Sequence, residues 1–182
     1  MSSAETFVSV DIEASGPVPG EFSMLAIGAC AVDDPDGSFQ CLVRPISDRA
    51  DPAALAVTGM TLEELEQIGL TPADAMQKFE AWALSLLSGE SNLVFLGFNA
   101  AFDWSFVNYY FHRFLGRNPF GFAPLDIKAY YMGATDCTWR ETKSSAIAQR
   151  VHPTLQGTHD ALEDARYQAE LFRLIRTLKS SH

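Results

Sequence analysis

Residues 6–12 have the sequence T-F-V-S-V-D-I, and Glu13 follows directly. Its β-branched and aromatic residues are typical of a β-strand. Side chains two positions apart on a strand share a face, so we expect Asp11 and Glu13 on one side and Val10 and Ile12 in the core. A solvated edge strand would also explain the acidic pair. The run nevertheless has the pattern of a central strand, which seldom carries bare carboxylates on its second face.

The segments on either side of this strand predict a mixed α/β sheet packed by helices. The turn residues at 15–20 and the D-D-P-D-G sequence after Val32 predict a three-stranded antiparallel meander. After Pro45 the pattern becomes helical, and Thr61 with Glu64 matches a capping box. The remaining predictions, in chain order, are a helix at 71–87, a buried strand at 92–98, a helix at 100–115, a short strand or strand–helix junction at 125–132, an irregular, mobile segment with a short helix at 133–157, and a last helix from His159 or Asp160 to Leu178.

Length and composition indicate one globular domain over residues 1–182, with 47% hydrophobic and 20% charged residues. The formal net charge of −10 excludes a protein that grips long duplexes through a basic face, but it allows a short nucleic-acid end. Three cysteines without metal-like spacing argue against a disulfide framework or a zinc site. No signal-peptide pattern or apolar run of about 20 residues occurs, so we expect a cytoplasmic protein with no membrane partner.

Two further carboxylates are expected near the acidic strand. Asp103 lies one turn into the helix that follows strand 92–98, and Asp164 lies beside the buried stripe of the last helix. Each has a structural alternative when taken alone, since acids are favoured near helix N-termini. Together with Asp11 and Glu13 they provide an all-oxygen donor set, which suits Mg²⁺ or Mn²⁺ rather than zinc. Two such ions about 4 Å apart form the arrangement that cleaves phosphodiesters.

Three segments carry a resemblance to a known family: V-D-I-E-A-S-G (10–16), F-N-A-A-F-D-W-S-F (98–106) and H-D-A-L-E-D-A (159–165). They resemble the three motifs of the DnaQ-like, DEDDh 3′→5′ exonucleases, and V-T-G-M-T (57–61) resembles a further segment of that family. The resemblance implies a ribonuclease H-like fold, with a mixed five-stranded sheet of three antiparallel strands plus parallel strands. It also implies that Asp11, Glu13, Asp103 and Asp164 hold two metal ions and that His159 is the general base.

Substrate contacts are predicted less directly. Ala14 and Ser15 stand where many members of the family carry Thr-Thr or similar, so they are candidates for contact with the 3′ end. Phe106, Met24 and Leu25 could stack on or wedge against a base, with core packing as the alternative for each. Asn99 either contacts the substrate or caps the following helix. Arg140 and Lys143 could contact phosphates or be merely solvated, and Trp139 could stack on a base or pack its loop.

The sequence therefore predicts a metal-dependent 3′→5′ exonuclease. It would act on single-stranded or short DNA or RNA ends and release nucleoside 5′-monophosphates. Two alternatives remain open: a ribonuclease H-type endonuclease, and a proofreading or binding subunit that works only with a polymerase partner. No residue reports on the 2′-hydroxyl, so DNA and RNA are not distinguished. A homodimer is equally open.

Overall fold

The computed structural model describes residues 5–179, with the side chain of Lys179 excepted. Its central strand is β1 (Glu5–Ala14), the strand that contains the acidic pair. The other elements, in chain order, are β2 (Met24–Ala31), β3 (Ser38–Leu42), α1 (Pro52–Thr58), α2 (Leu62–Ile68), α3 (Pro72–Ser85), β4 (Asn92–Gly97), α4 (Ala101–Leu115), β5 (Leu125–Asp126), α5 (Ile127–Thr135), a 3₁₀ helix (Trp139–Thr142), α6 (Ser144–Val151) and α7 (Ala161–Lys179).

The five strands form one mixed sheet in the order β3-β2-β1-β4-β5. The first three strands pair antiparallel, while β4 pairs parallel to both β1 and β5. This is the expected meander extended by parallel strands, and the predicted fold class is confirmed. Because β1 has a partner on each side, the solvated edge-strand alternative for Asp11 and Glu13 is wrong.

Two hydrophobic clusters cover the two faces of the sheet. One contains Val8, Val10 and Ile12 of β1 together with buried side chains of α3 and α4. The other contains Leu96 of β4 with buried side chains of α5, α6 and α7. The side chains of β1 alternate between the faces, so Val10 and Ile12 lie in the first cluster as expected. Asp11 and Glu13 consequently face the α7 side.

Helix α7 lies directly on the sheet because β2 has a glycine at the point of contact. A Cβ atom on Gly28 would lie 2.1 Å from the carbonyl carbon of Ala161, so no larger residue fits without movement of the helix. Gly28 is also the register partner of Asp11. The same close approach therefore brings the start of α7 to the acidic end of β1.

The structure corrects three sequence-based boundaries. The predicted strand or junction at 125–132 is a two-residue strand followed at once by α5, whose N-cap is Asp126. Segment 133–157, expected to be irregular with a short helix, contains that helix as α6, but it also contains the end of α5 and the 3₁₀ helix. The last helix begins at Ala161 rather than at His159 or Asp160, because Asp160 Oδ1 accepts hydrogen bonds from the N–H groups of Leu162 and Glu163 at 3.0 and 3.1 Å.

None of the helices in the described residues is both long and apolar enough to span a bilayer.

Candidate active site

The acidic pair of β1 lies at the C-terminal end of the strand. Asp11 pairs in register with Gly28, and Glu13 pairs with Ala26. A shift in register follows between Glu13 and Ala14, so the regular ladder ends directly after the second carboxylate. Glu13 is buried and Asp11 is partly buried. The strand thus brings both carboxylates to the end of the sheet at which β1 terminates, under the first turns of α7.

Asp103 reaches the same edge from the opposite layer. It lies in the first turn of α4 and is buried, and its Oδ1 accepts a hydrogen bond from the backbone N–H of Ile12 at 3.1 Å. Because Ile12 lies between Asp11 and Glu13 in the chain, this bond ties α4 to the acidic end of β1. Burial raises the pKa of the Asp103 carboxyl to about 7, against the lowering effect of its backbone hydrogen bonds.

Asp164 connects the site to the segment before α7. Its Oδ1 accepts a hydrogen bond from the N–H of Thr158 at 2.7 Å, and its Oδ2 accepts one from the N–H of His159 at 3.2 Å. His159 is exposed and has a left-handed backbone, with φ of 62°. Both oxygens of Asp164 therefore hold the turn that carries His159.

The electrostatics of these side chains show that they occupy one neighbourhood. Burial raises the pKa of Asp11 well above its ordinary value, and the charges of Asp103, Asp164 and Glu13 raise it further. Burial likewise raises the pKa of Glu13 to about 7, with added repulsion from Asp164 and Asp160. The site therefore favours protonated carboxyls or a bound cation.

The four carboxylates have the oxygen atoms that a divalent cation prefers, but their side chains are not close enough together to coordinate one. Four carboxylates supply oxygen ligands only, as Mg²⁺ and Mn²⁺ prefer. Within the described part of the chain, however, no three His, Cys, Asp or Glu side chains are grouped closely enough to form a ready-made metal site. Coordination would therefore require side-chain movement, above all of Asp164, whose oxygens are engaged by backbone N–H groups.

Sequence reasoning missed Gln168, which is buried on α7 one turn after Asp164. Its Nε2 donates a hydrogen bond to Asp11 Oδ1, and its Oε1 accepts one from the N–H of Phe98. It also missed the Ser144–Tyr167 hydrogen bond of 3.0 Å. These residues line a cavity of about 220 Å³ together with Asp11, Asp164 and Gly157. The only signal for Gln168 was a polar residue on the buried stripe of the helix.

Most candidate base contacts on β2 and α4 are core residues. Met24 and Leu25 are completely buried, and so is Phe106, which packs against Phe102. None of the three offers a surface to a base in this structure, so the packing alternative describes each of them. Met24 and Leu25 lie on a strand whose two faces are both covered by helices, and Phe106 lies on the buried face of α4.

The remaining candidates divide by exposure. Ala14 and Ser15 are buried, and Ser15 Oγ donates to the carbonyl oxygen of Arg49 while accepting from the N–H of Ser23. Asn99 is exposed with φ of 59°, and the N-cap of α4 is Ala100, so the capping interpretation of Asn99 is wrong. Instead, the N–H of Ala100 donates to Asp126 Oδ2 at 2.7 Å. Arg140, within the 3₁₀ helix, and Lys143, directly after it, are exposed, and both remain candidates.

Comparison with known proteins gives concordant matches. A family model described as "Exonuclease" (RNase_T) matches residues 8–172. The Escherichia coli protein described as "3′-5′ DNA exonuclease Cap18" is 57% identical over 174 residues, which are 96% of this chain and 93% of that protein.

Solved structures match at lower identity. The nuclease domain of 3′hExo, described as a DEDDh family member bound to rAMP, superposes with a TM-score of 0.75 at 19% identity, covering 99% of this chain and 94% of that one. E. coli exonuclease I in complex with a dT13 oligonucleotide superposes with a TM-score of 0.72 at 17% identity, covering 97% of this chain and 42% of that one. At these identities the likeness shows the fold.

Proposed function

This chain belongs to the exonuclease family, and we propose that it removes nucleotides one at a time from the 3′ end of single-stranded DNA. The observation that carries the proposal is the convergence of four carboxylates at one end of β1. Asp11 and Asp164 line one cavity, and Asp103 accepts a hydrogen bond from Ile12, the residue between Asp11 and Glu13. DNA is favoured over RNA because the E. coli relative is described as a DNA exonuclease. A single strand is favoured over a duplex because the net charge of −10 opposes a long run of phosphate contacts.

The four carboxylates hold two divalent ions, Mg²⁺ or Mn²⁺, in this proposal. When bound, the ions supply the positive charge that activates the attacking water and stabilises the leaving oxygen. Burial raises the pKa of Asp11 and Glu13, and the charge of Asp164 raises both further. A bound cation would stabilise the charged forms of these carboxyls, which supports this assignment. The hydrogen bond from Ile12 to Asp103 orients one ligand, and the bond from Gln168 to Asp11 orients another.

His159 acts as general base and accepts the proton of the attacking water. The backbone N–H of His159 donates a hydrogen bond to Asp164, so the histidine lies next to one of the four carboxylates. Its side chain is exposed, so solvent can carry the proton away after each cycle. The products are then a nucleoside 5′-monophosphate and a strand shortened by one nucleotide.

Residues 1–182 act as one exonuclease domain in this proposal, and the family match over residues 8–172 supports it. Neither a polymerase partner nor a second copy is required by the chemistry, since all four carboxylates and His159 come from one chain.

The test is digestion of a 5′-labelled single-stranded DNA oligonucleotide by the purified chain with Mn²⁺. A ladder of products shortened from the 3′ end, absent with Asp103→Asn, is expected. A matched RNA oligonucleotide measures the preference for DNA. Cleavage of a circular single strand would instead identify an endonuclease. Activity that appears only after addition of a polymerase would favour the dependent-subunit alternative, and undiminished activity in EDTA would contradict the role of the metal.

A further inference from the structure

An exposed tryptophan stands beside the catalytic cavity. Trp139, in the 3₁₀ helix between α5 and α6, has 54% of its surface exposed. Large aromatic side chains usually bury most of their area, because exposing it forfeits hydrophobic stabilisation. The Nζ atom of Lys128, on α5, lies 4.2 Å from the centre of the Trp139 ring, a cation–π distance. The ring is thus supported by a cation while much of it stays open to solvent.

This pair adjoins the catalytic cavity from two sides. Lys128 Nζ also lies 6.0 Å from the ring centre of Phe98, and Phe98 lines the cavity that contains Asp11 and Asp164. On the other side, Ser144 lines the same cavity and follows the 3₁₀ helix by two residues. Lys128 therefore connects the Trp139 ring to Phe98 at the cavity, and the chain connects Trp139 to Ser144 at the same cavity.

One cation lies directly at the Trp139 ring. In the described residues, the ion pairs join Arg49, Arg117 and Arg166 each to a glutamate, and Lys128 belongs to none of them. Arg140 and Lys143 are exposed in the same segment of the chain, together with the acids Asp136 and Glu141. Lys128 is therefore the cation that the structure places where a phosphate next to a stacked base could lie.

We propose that Trp139 and Lys128 form a binding site for the single strand on the 5′ side of the scissile phosphate. A base stacks on the Trp139 ring, and Lys128 with its neighbouring cations contacts the phosphates of that nucleotide. Stacking tolerates every base, so the site adds affinity without sequence preference. It also selects single strands, because a paired base in a duplex offers no free face. This inference rests on the proposed exonuclease function.

Two substrates separate this site from the catalytic site. The p-nitrophenyl ester of thymidine 5′-monophosphate has no nucleotide on the 5′ side of the scissile phosphate, whereas an oligothymidylate of about eight nucleotides does. Trp139→Ala should raise KM for the oligonucleotide roughly 5- to 150-fold, the usual worth of one stacked base. Hydrolysis of the ester should change by less than about twofold, because the ester has no upstream nucleotide that Trp139 could bind.

Matched variants sharpen the test. Trp139→Phe keeps an aromatic face and should restore most of the affinity for the oligonucleotide. Lys128→Gln should weaken oligonucleotide binding and make it less dependent on salt. Phe122→Ala removes another exposed aromatic side chain, 95% exposed, that lies outside this site, and it should leave both substrates unaffected.

Other outcomes would overturn the inference. An equal effect of Trp139→Ala on both substrates would assign the residue a structural role. The open groove of about 640 Å³ between α6 and residues 152–157 offers a different path. If Gln149→Ala raised KM for the oligonucleotide and Trp139→Ala did not, the strand would follow that groove.

Binding can be measured independently of turnover. In Asp103→Asn, titration with the oligonucleotide should quench tryptophan fluorescence, and the added substitution Trp139→Phe should abolish the quench. A wild-type chain that hydrolyses neither substrate but shows this quench would contradict the proposed function and not the binding site. Absence of a quench that depends on Trp139 would contradict the binding site itself.

Discussion

The side-chain amide of Gln168 donates a hydrogen bond from Nε2 to the Oδ1 atom of Asp11 at 2.5 Å. The same amide accepts, at Oε1, a hydrogen bond from the N–H of Phe98 at 2.9 Å. Because a backbone N–H can only donate, the amide can have only one orientation, with its NH₂ group toward the carboxylate. Gln168 thereby connects the end of β4 to the carboxylate at the centre of the site.

The first prediction is that Gln168→Leu lowers both stability and activity. The substitution leaves the Asp11 carboxylate and the Phe98 N–H without their partner in a buried position. We expect a loss of about 1–3 kcal/mol in the free energy of unfolding. We also expect a roughly 10- to 100-fold loss in Mn²⁺ affinity or activity, the usual effect of removing a group that orients a metal ligand.

Urea denaturation and Mn²⁺ titration of the purified variant measure these effects. Gln67→Leu, an exposed residue of α2, serves as the control and should change stability by no more than about 0.5 kcal/mol. Equal behaviour of the two variants would contradict a positioning role for Gln168.

The second prediction concerns the stability of the metal-free protein. The folded state raises the pKa of Glu13 from 4.5 and that of Asp103 from 3.8, each to about 7. The folded state therefore binds more protons than the unfolded state between these limits, and stability falls as the pH rises through about 7. In EDTA, we expect a lower midpoint of unfolding at pH 8 than at pH 6.

Two additions test the cause of this pH dependence. Mn²⁺ at pH 8 should raise the melting temperature, because it binds the folded state and compensates the charges. Asp103→Asn should be at least as stable as the wild type in EDTA at pH 8 and show a weaker pH dependence. A metal-free protein that becomes more stable between pH 6 and pH 8 would show that the folded state does not raise the pKa of these buried carboxyls.

The third prediction concerns the general base. His159→Ala should lower turnover by roughly 10²–10⁴-fold, the usual worth of a positioned base. Mn²⁺ affinity should change little, because the proposed ligands are the carboxylates. His159→Asn provides a second variant, since asparagine tolerates the left-handed backbone of this position.

Turnover should be measured at saturating Mn²⁺, so that a loss of rate in either variant reports on proton transfer and not on metal binding. Near-normal turnover in His159→Ala would mean that another group accepts the proton, even if the carboxylates hold the metal.

The fourth prediction is that Gly28→Ala disturbs the site from outside it. The added methyl group would overlap the backbone of Ala161 and Leu162 and push α7 away from the sheet. We expect a loss of about 1–3 kcal/mol in the free energy of unfolding, as for other overpacked sites. Activity should fall as well, because Asp164 moves with the helix.

Gly133→Ala is the matched control, because a Cβ at that position in α5 meets no atom within 4 Å. It should leave stability unchanged or raise it by up to about 1 kcal/mol, since alanine is the better helix former. If Gly28→Ala behaved like Gly133→Ala in both measurements, the close contact at β2 would not control the site.

Local patterns in the sequence were sufficient to predict the central strand and the face that carries Asp11 and Glu13, because alternation along a strand is a local property. They also predicted the helices that contain Asp103 and Asp164, since helical periodicity repeats within a few residues. The family resemblance assigned the chemistry from the order of these acids. The contacts of each side chain could not be predicted in this way, because they join residues that are distant in the chain. The bond from Ile12 to Asp103 spans 91 positions, and the bond from Gln168 to Asp11 spans 157.

The same distinction separates the substrate candidates. Apolar and aromatic side chains suit either contact with a base or a place in the core. The helix layers over the sheet bury three such residues, Met24, Leu25 and Phe106. Trp139 is aromatic as well, but it lies in a short 3₁₀ helix beside a lysine from α5, and 54% of its surface is exposed. Exposure depends on which elements pack over a residue. That packing forms only when segments distant in the sequence meet, so local periodicity does not predict it.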